Sequence, residues 1–346
     1  MTKKVMRFLE ALECRTPDRV PFVPAIYEHK GWFIGRTPSA IARDADLLTE
    51  AILAEYECVR ADALVVGVDV YNVEAEAVGS KVTFFGDTGI PAVAEAEAIL
   101  KEDMPVKELS VPDPYKDARM PLFVESARRV AKKLGDVVPI RGAVSGPFSL
   151  AANLAGPLNL FTMTLSNPQR VHDILRFSVR VAYEYGRALI EAGCGVVVFD
   201  SQASPDLLSP AMYKEFVLGP TRELISRFRE LGVHHVPLII GGNTTGILEE
   251  YLETGANNIL CDFPADASRF LAECSARKVA FRRNINSTEF LTTRPEEVRK
   301  EALRAISEAD GYPGFILGTG VVPYGTPLDC LLAAREAVER TTNDEP

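Results

Sequence analysis

A small set of polar side chains stands at or just after the ends of short apolar runs, where buried backbone gives way to turns. Glu28 and His29 follow RVPFVPAIY, and Asp69, Tyr71, Asn72 and Glu74 close or follow ADALVVGVD. Asp200 and Gln202 end or follow GVVVFD, Asn243 follows VPLII, and Arg283 and Asn286 lie in or after KVAFRRN. His29 titrates near neutrality, which suits a proton donor; its plainer reading is a loop histidine paired with Glu28. Asp200 closes an apolar run, so its carboxylate needs a partner or a shifted pKa; it could equally be structural, accepting from backbone N–H groups. Tyr71 could give its phenolic proton to a substrate oxygen, or simply pack. Glu28, Asp69, Asn72, Glu74, Gln202, Asn243, Arg283 and Asn286 are candidate binding groups. Glu74 also suits a helix start, where the macrodipole favours negative charge, and Asn243 could merely hold its turn. If Arg283 faces the site, Arg282 must point away, because strand neighbours alternate. His234 and His235 precede the VPLII run and read as structural, and His172 as a surface residue of a helix. A zinc held by His29 with Glu28, Glu74 or Asp200 has no ligand spacing behind it, so no metal ligand is assigned.

The elements that position these groups alternate. Strands are expected at 19–27, 61–69, 137–144, 195–200, 236–240, 257–263, 278–284 and 314–320. Helices are expected at 2–13, 37–59, 117–134, 167–193, 209–231 with a bend near Pro220, 295–308 and 326–340, with a further helical segment before 167. Another starts at Thr244 or Thr245, and Gly255 closes it. Residues 81–95 read as a β-hairpin inserted after strand two, and 100–116 as an irregular loop. Eight strands alternating with helices imply a parallel sheet with right-handed crossovers, closing most simply into an α/β, (β/α)8 TIM barrel of one domain spanning 1–346. An open doubly wound sheet expects a glycine fingerprint after its first strand, and Tyr27-Glu28-His29-Lys30 is nothing like one. In a barrel, catalytic groups gather at the carboxyl ends of the strands, where the polar set above lies.

Composition narrows the function classes. The chain has 346 residues, 47% hydrophobic and 25% charged, with a net charge of −10. That acidity argues against nucleic acid or an anionic membrane as the main partner. No apolar run approaches the ~20 residues that span a bilayer. The opening MTKKVMRFLEALE reads as an amphipathic helix, not a signal peptide. Six scattered cysteines without a CxxC point to a reducing cytoplasm.

Six segments stand in order along the chain, the first before strand one and the others after strands two, three, four, five and eight. They are Asp18-Arg19-Val20-Pro21; Asn72-Val73-Glu74-Ala75-Glu76-Ala77-Val78-Gly79; Gly146-Pro147-Phe148-Ser149-Leu150-Ala151; Asp206-Leu207-Leu208-Ser209-Pro210; Gly242-Asn243-Thr244; and Gly318-Thr319-Gly320 with Gly325-Thr326-Pro327-Leu328. In these the chain resembles the superfamily of uroporphyrinogen decarboxylase and the corrinoid-dependent methyltransferases. The decarboxylases place two arginines after strand one, to meet a substrate rich in carboxylates. Here that segment is Glu28-His29-Lys30-Gly31-Trp32, the first arginine is Arg36, and no histidine follows His235. Asp69 could match the decarboxylases' key aspartate. The thiol-methylating members bind zinc through a His-x-Cys ending strand five and a Cys after strand eight. Those positions are Ile239, Gly241 and Val321, so zinc is not expected. The segments around Tyr27–Lys30 and Val68–Glu76 look most like the methyltransferase I component of anaerobic aryl-ether O-demethylases. That resemblance implies transfer of a methyl group from a small-molecule donor, an aryl methyl ether, to cob(I)alamin on a partner corrinoid protein. His29 would then protonate the departing oxygen, with Asp200 and Tyr71 as further candidates. The alternatives are a uroporphyrinogen decarboxylase, a relative of the zinc-type methylcobamide:thiol methyltransferases, and an inactive barrel that docks a corrinoid protein. A homodimer stays open.

Overall fold

Short Val- and Ile-rich runs punctuated by glycine and proline can bury both faces only inside a covered parallel sheet. In the computed structural model, which describes residues 2–94, 98–100, 104–290 and 292–341, eight of them do so. They are β1 (Phe22–Ala25), β2 (Leu64–Val66), β5 (Ile140–Ser145), β6 (Gly195–Phe199), β7 (Pro237–Ile239), β8 (Asn258–Cys261), β9 (Ala280–Ile285) and β10 (Phe315–Val321). All pairings are parallel, in the order β1-β10-β9-β8-β7-β6-β5-β2. Helices surround them, giving the expected (β/α)8 barrel. The hairpin is also present, as β3 (Val82–Thr83) antiparallel to β4 (Ala92–Val93). Residue 95 of the expected hairpin and residues 101–103 of the expected loop lie outside the described residues.

The wall has one joint without a strand ladder, between β1 and β2. Two buried charged side chains bridge it. At the amino end, the Asp62 N–H donates to the Phe22 carbonyl at 2.9 Å, and Asp62 Oδ2 accepts from the Phe22 N–H at 2.8 Å. Arg7 (2.6 Å) and Arg19 (2.9 Å) neutralise that carboxylate. At the other end, Lys30 Nζ donates to the carbonyls of Ile26 (2.8 Å), Val65 (3.2 Å) and Gly67 (2.6 Å). The helix Lys3–Leu12 closes the barrel floor, setting Phe8, Ala11 and Leu12 against Val23, Ala63, Ala280 and Ile316.

Several helices differ from expectation for local reasons. The span 37–59 divides into Pro38–Ile41 and Ala45–Val59, because Asp44 caps the N–H groups of Asp46 and Leu47. The bend near Pro220 is a widened π turn, Tyr213–Val217, leading into Leu218–Glu230; it accommodates the N–H that proline lacks. The helix Val73–Val78 fits the reading of Glu74 as a helix start, whereas the 3-10 helix Glu28–Ile34 and the α-helix Ala267–Arg277 were not anticipated. The last buries only Phe270 and Cys274, too narrow a stripe to give a clear period. No helix of the described residues is long and apolar enough to cross a membrane.

Candidate active site

Side chains of the barrel interior alternate with those facing the helices, so the strand register decides what reaches the mouth. Ala143, Val197, Ile239 and Leu260 fill the middle of the bore, and Tyr27, Phe199 and Tyr71 sit among them towards the carboxyl ends. Tyr27 and Tyr71 both meet the Phe199 ring edge-on, at 5.4 and 6.4 Å between centroids. Above this aromatic layer opens a cleft of about 440 Å³.

The cleft brings together five of the expected residues: Glu28, Asp69, Tyr71, Asn72 and Gln202. Asp69 is gripped by Arg119 through both terminal nitrogens, at 2.7 and 3.1 Å. Asn72 Nδ2 donates to the Pro91 carbonyl at 2.6 Å and so ties the β3–β4 hairpin over the cleft, where Ile90 to Val93 form an apolar wall. The Tyr71 hydroxyl donates to Ser201 Oγ at 2.6 Å, and Asn153 Nδ2 donates to the Tyr71 carbonyl at 2.5 Å. Glu28 is buried to 6% exposure, and desolvation raises its carboxyl pKa to about 7, with its own backbone N–H and Lys30 opposing. It is a carboxylic acid poised at neutrality on the wall of an open cleft. Burial also raises the Tyr27 phenol to about 12 and pushes Tyr71 higher still, so both stay protonated donors.

The remaining candidates are held elsewhere. His29 is fully buried behind the wall, edge-on to Phe33 at 4.9 Å between centroids, with neither ring nitrogen hydrogen-bonded among the described residues. Burial lowers its pKa to about 4, the nearby Pro323 carbonyl opposing, so the imidazole is neutral at pH 7, and it does not line the cleft. Asp200 accepts from the Ser149 N–H at 2.6 Å at the start of the helix Pro147–Ala155. It packs so closely on Gly146 that a Cβ there would lie 2.2 Å from its carboxyl carbon. Its pKa rises to about 6 through burial, offset by Ser149; the structural reading fits its position. Glu74 bridges to β5, accepting from the Ser145 N–H (2.6 Å) and Oγ (3.0 Å). Asn243 caps its own turn by accepting from the Thr245 N–H at 3.2 Å. Asn286 does likewise with Thr288, at 3.1 Å.

Arg283 corrects an expectation. It pairs with Cys261 on the helix-facing side of the sheet and donates to the Asp262 carbonyl at 2.6 Å. Arg282, paired with inward Leu260, points into the bore instead. Gly318 makes room, since a Cβ there would lie 2.8 Å from Arg282 Cδ. Tyr27, Asn153 and Ser201 are cleft residues that sequence reasoning passed over. Tyr27 stood in plain view beside Glu28, whereas Asn153 lies inside a helix and carries no local signal.

A sequence model of the uroporphyrinogen decarboxylase (URO-D) family matches residues 3–341. The chain belongs to the URO-D family. Among its relatives, the uroporphyrinogen decarboxylase of Azoarcus sp. (strain BH72) is 30% identical over 242 residues, covering 67% of this chain and 66% of that protein. The methylcobamide:CoM methyltransferase MtaA of Methanosarcina barkeri (strain Fusaro / DSM 804) is 27% identical, covering 95% of this chain and 96% of that protein. A solved methyltransferase structure from Methanosarcina mazei superposes with a TM-score of 0.87 at 22% identity, over 97% of this chain and 98% of that one. The fold of this URO-D-family chain is therefore shared with a methyltransferase, and its relatives include both decarboxylases and methyltransferases.

The residues at the positions that the resemblance to the thiol-methylating members assigns to zinc do not fit the metal. Ile239 is buried among the aliphatic and aromatic groups of the bore, Gly241 offers only backbone, and Val321 is a half-exposed aliphatic on the cleft rim. None carries a side-chain donor atom. Among the described residues no three His, Cys, Asp or Glu side chains are grouped to hold a metal ion.

Proposed function

We propose that this URO-D-family barrel moves a methyl group from a neutral methyl donor, an aryl methyl ether, to cob(I)alamin carried by a partner corrinoid protein. The observation that carries this reading is the charge of the cleft. Its described lining contains Glu28 and Asp69 but no lysine, arginine or histidine. A porphyrinogen bearing many carboxylates needs cations to meet it. A neutral aromatic ring needs an apolar wall, which Ile90, Pro91 and Val93 of the hairpin supply. Val321 and Leu207 on the rim are half-exposed apolar groups suited to the face of a flat macrocycle.

The corrinoid supplies the nucleophile that takes the methyl carbon. This chain's own task is the leaving oxygen. As the C–O bond breaks, the oxygen keeps the bonding electron pair and would leave as a poorly stabilised phenoxide. The Glu28 carboxyl gives it a proton, so that a neutral phenol departs. Tyr71, held by Ser201, orients the ring, and the hairpin tied by Asn72 excludes water from the ether.

The test is to mix the protein with a cob(I)alamin-loaded corrinoid protein and a panel of methoxyarenes, following the cobalamin spectrum and released phenol. Methylcobalamin and phenol formed in equal amounts support the proposal. No spectral change with any donor would favour a barrel that only docks its partner. Carbon dioxide released from a porphyrinogen would return the chain to decarboxylation.

A further inference from the structure

The barrel floor, at the end opposite the cleft, holds two arginines that no carboxylate answers among the described residues. Arg141 pairs in register with Val65, and Arg282 with Leu260, so both point into the bore. Each is 6% exposed. They line an internal pocket of about 30 Å³ above Phe8, together with Asn258, which is 3% exposed. A single water needs only ~10–15 Å³, so the pocket is large enough for a small occupant.

Its unpartnered polar atoms are all of one kind. Arg141 Nε, Arg282 Nε and Asn258 Nδ2 are all donors, and none has a hydrogen-bond partner among the described residues. Arg141 Nη1 is already engaged by the His235 carbonyl at 2.7 Å, and the guanidinium stacks over Phe8 at 5.4 Å. The Tyr27 hydroxyl is the polar neighbour of Arg282. No Asp or Glu lines the pocket, and the rest of its wall is apolar. Asp62, the buried carboxylate of the floor, is held by Arg7 and Arg19. Burial without a counter-charge lowers the Arg141 pKa to about 10, in line with this arrangement.

A water would need acceptors for its own hydrogens, which these three side chains do not present through the unpartnered atoms. An anion accepts from all of them and offsets two buried positive charges. We propose that the floor pocket binds a monovalent anion of chloride size, held by Arg141, Arg282 and Asn258. The site does not depend on the reaction proposed for the cleft.

Crystals of the full chain grown in sodium bromide test this directly. The expected result is an anomalous peak within hydrogen-bond distance of Arg141, Arg282 and Asn258. Thermal unfolding in sodium chloride should then give a higher Tm than in sodium methanesulfonate at equal ionic strength. Asn258→Asp, which brings its own negative charge, should lose the peak and the chloride dependence. Bromide found only at surface sites, with water or no density in the pocket, would overturn the proposal. A chloride dependence that Asn258→Asp leaves unchanged would also count against it. Should Asn258→Asp fail to fold, the bromide map of the unaltered chain still decides.

Discussion

Lys30 Nζ lies 3.9 Å from Glu55 Oε2, and both side chains are sealed from water. Burial lowers the lysine pKa and raises that of Glu55 to about 7. The ammonium spends its hydrogens on the three carbonyls that join β1 to β2.

Lys30→Met should therefore cost stability twice, leaving those carbonyls unmet and Glu55 without its cation. Removing one member of a buried pair costs about 3–5 kcal/mol. Lys30→Met with Glu55→Leu should lose less than the sum of the two single changes, since the stranded carboxyl is gone. Urea unfolding of the four proteins measures this. A loss under about 1 kcal/mol for Lys30→Met would mean that the joint does not need its stitch.

Glu28→Gln should lower the rate of methyl transfer by about 10²–10⁴-fold, the usual share of a general acid. The required form is protonated and its pKa is raised to about 7, so the rate of the unaltered enzyme should be level below that pH and fall above it. In Glu28→Gln the alkaline limb should vanish. It should persist in His29→Leu, because that imidazole lies outside the cleft. Single-turnover rates between pH 5.5 and 8.5, in about half-unit steps, give the profile.

The buried Glu74 carboxyl has its pKa raised to about 7 by desolvation, the Ser145 contacts opposing. A raised carboxyl pKa means that the folded chain holds a proton which the unfolded chain has released. Stability from this group is thus intact below the unfolded value of 4.5 and is lost as pH rises towards 7. Glu74→Gln keeps an acceptor for the Ser145 N–H, and its amide can donate to the Ser145 hydroxyl, which then turns its own hydrogen to the Val70 carbonyl. It should gain roughly 1–3 kcal/mol over the unaltered chain on going from pH 5 to 8, at about 1.4 kcal/mol per pKa unit. Denaturant midpoints at the two pH values test this, and parallel losses in both proteins would contradict it.

Ile239, Gly241 and Val321 supply no side-chain donor where the thiol-methylating members are expected to hold zinc. Methyl transfer should survive exhaustive dialysis against a chelator. About one zinc per chain, lost together with activity, would show ligands that the family pattern does not predict.

All eight barrel strands and the hairpin were legible in the sequence, because a strand buried on both faces leaves an unbroken apolar run between turn residues. The carboxyl ends followed from them, and with them the neighbourhood of Glu28, Asp69, Tyr71, Asn72 and Gln202. Individual orientation did not follow. His29 and Glu28 are adjacent, yet a 3-10 turn lays one against the cleft and folds the other behind it. Arg282 and Arg283 are indistinguishable by type, and only the register with Leu260 and Cys261 tells which enters the bore. The stitching role of Lys30 was hidden for another reason: its three partners are backbone carbonyls, which leave no trace in residue identity.

The two halves of the cleft stand on either side of the joint that lacks a ladder. Tyr27 and Glu28 continue from β1; Asp69, Tyr71 and Asn72 continue from β2. Their separation is therefore gauged by Lys30 at one end and Asp62 at the other, neither of which touches the cleft. Substitution at Lys30, the stitch on the cleft side, should therefore be felt at the opening while every lining residue stays the same. The mouth of this barrel is braced from behind its own wall.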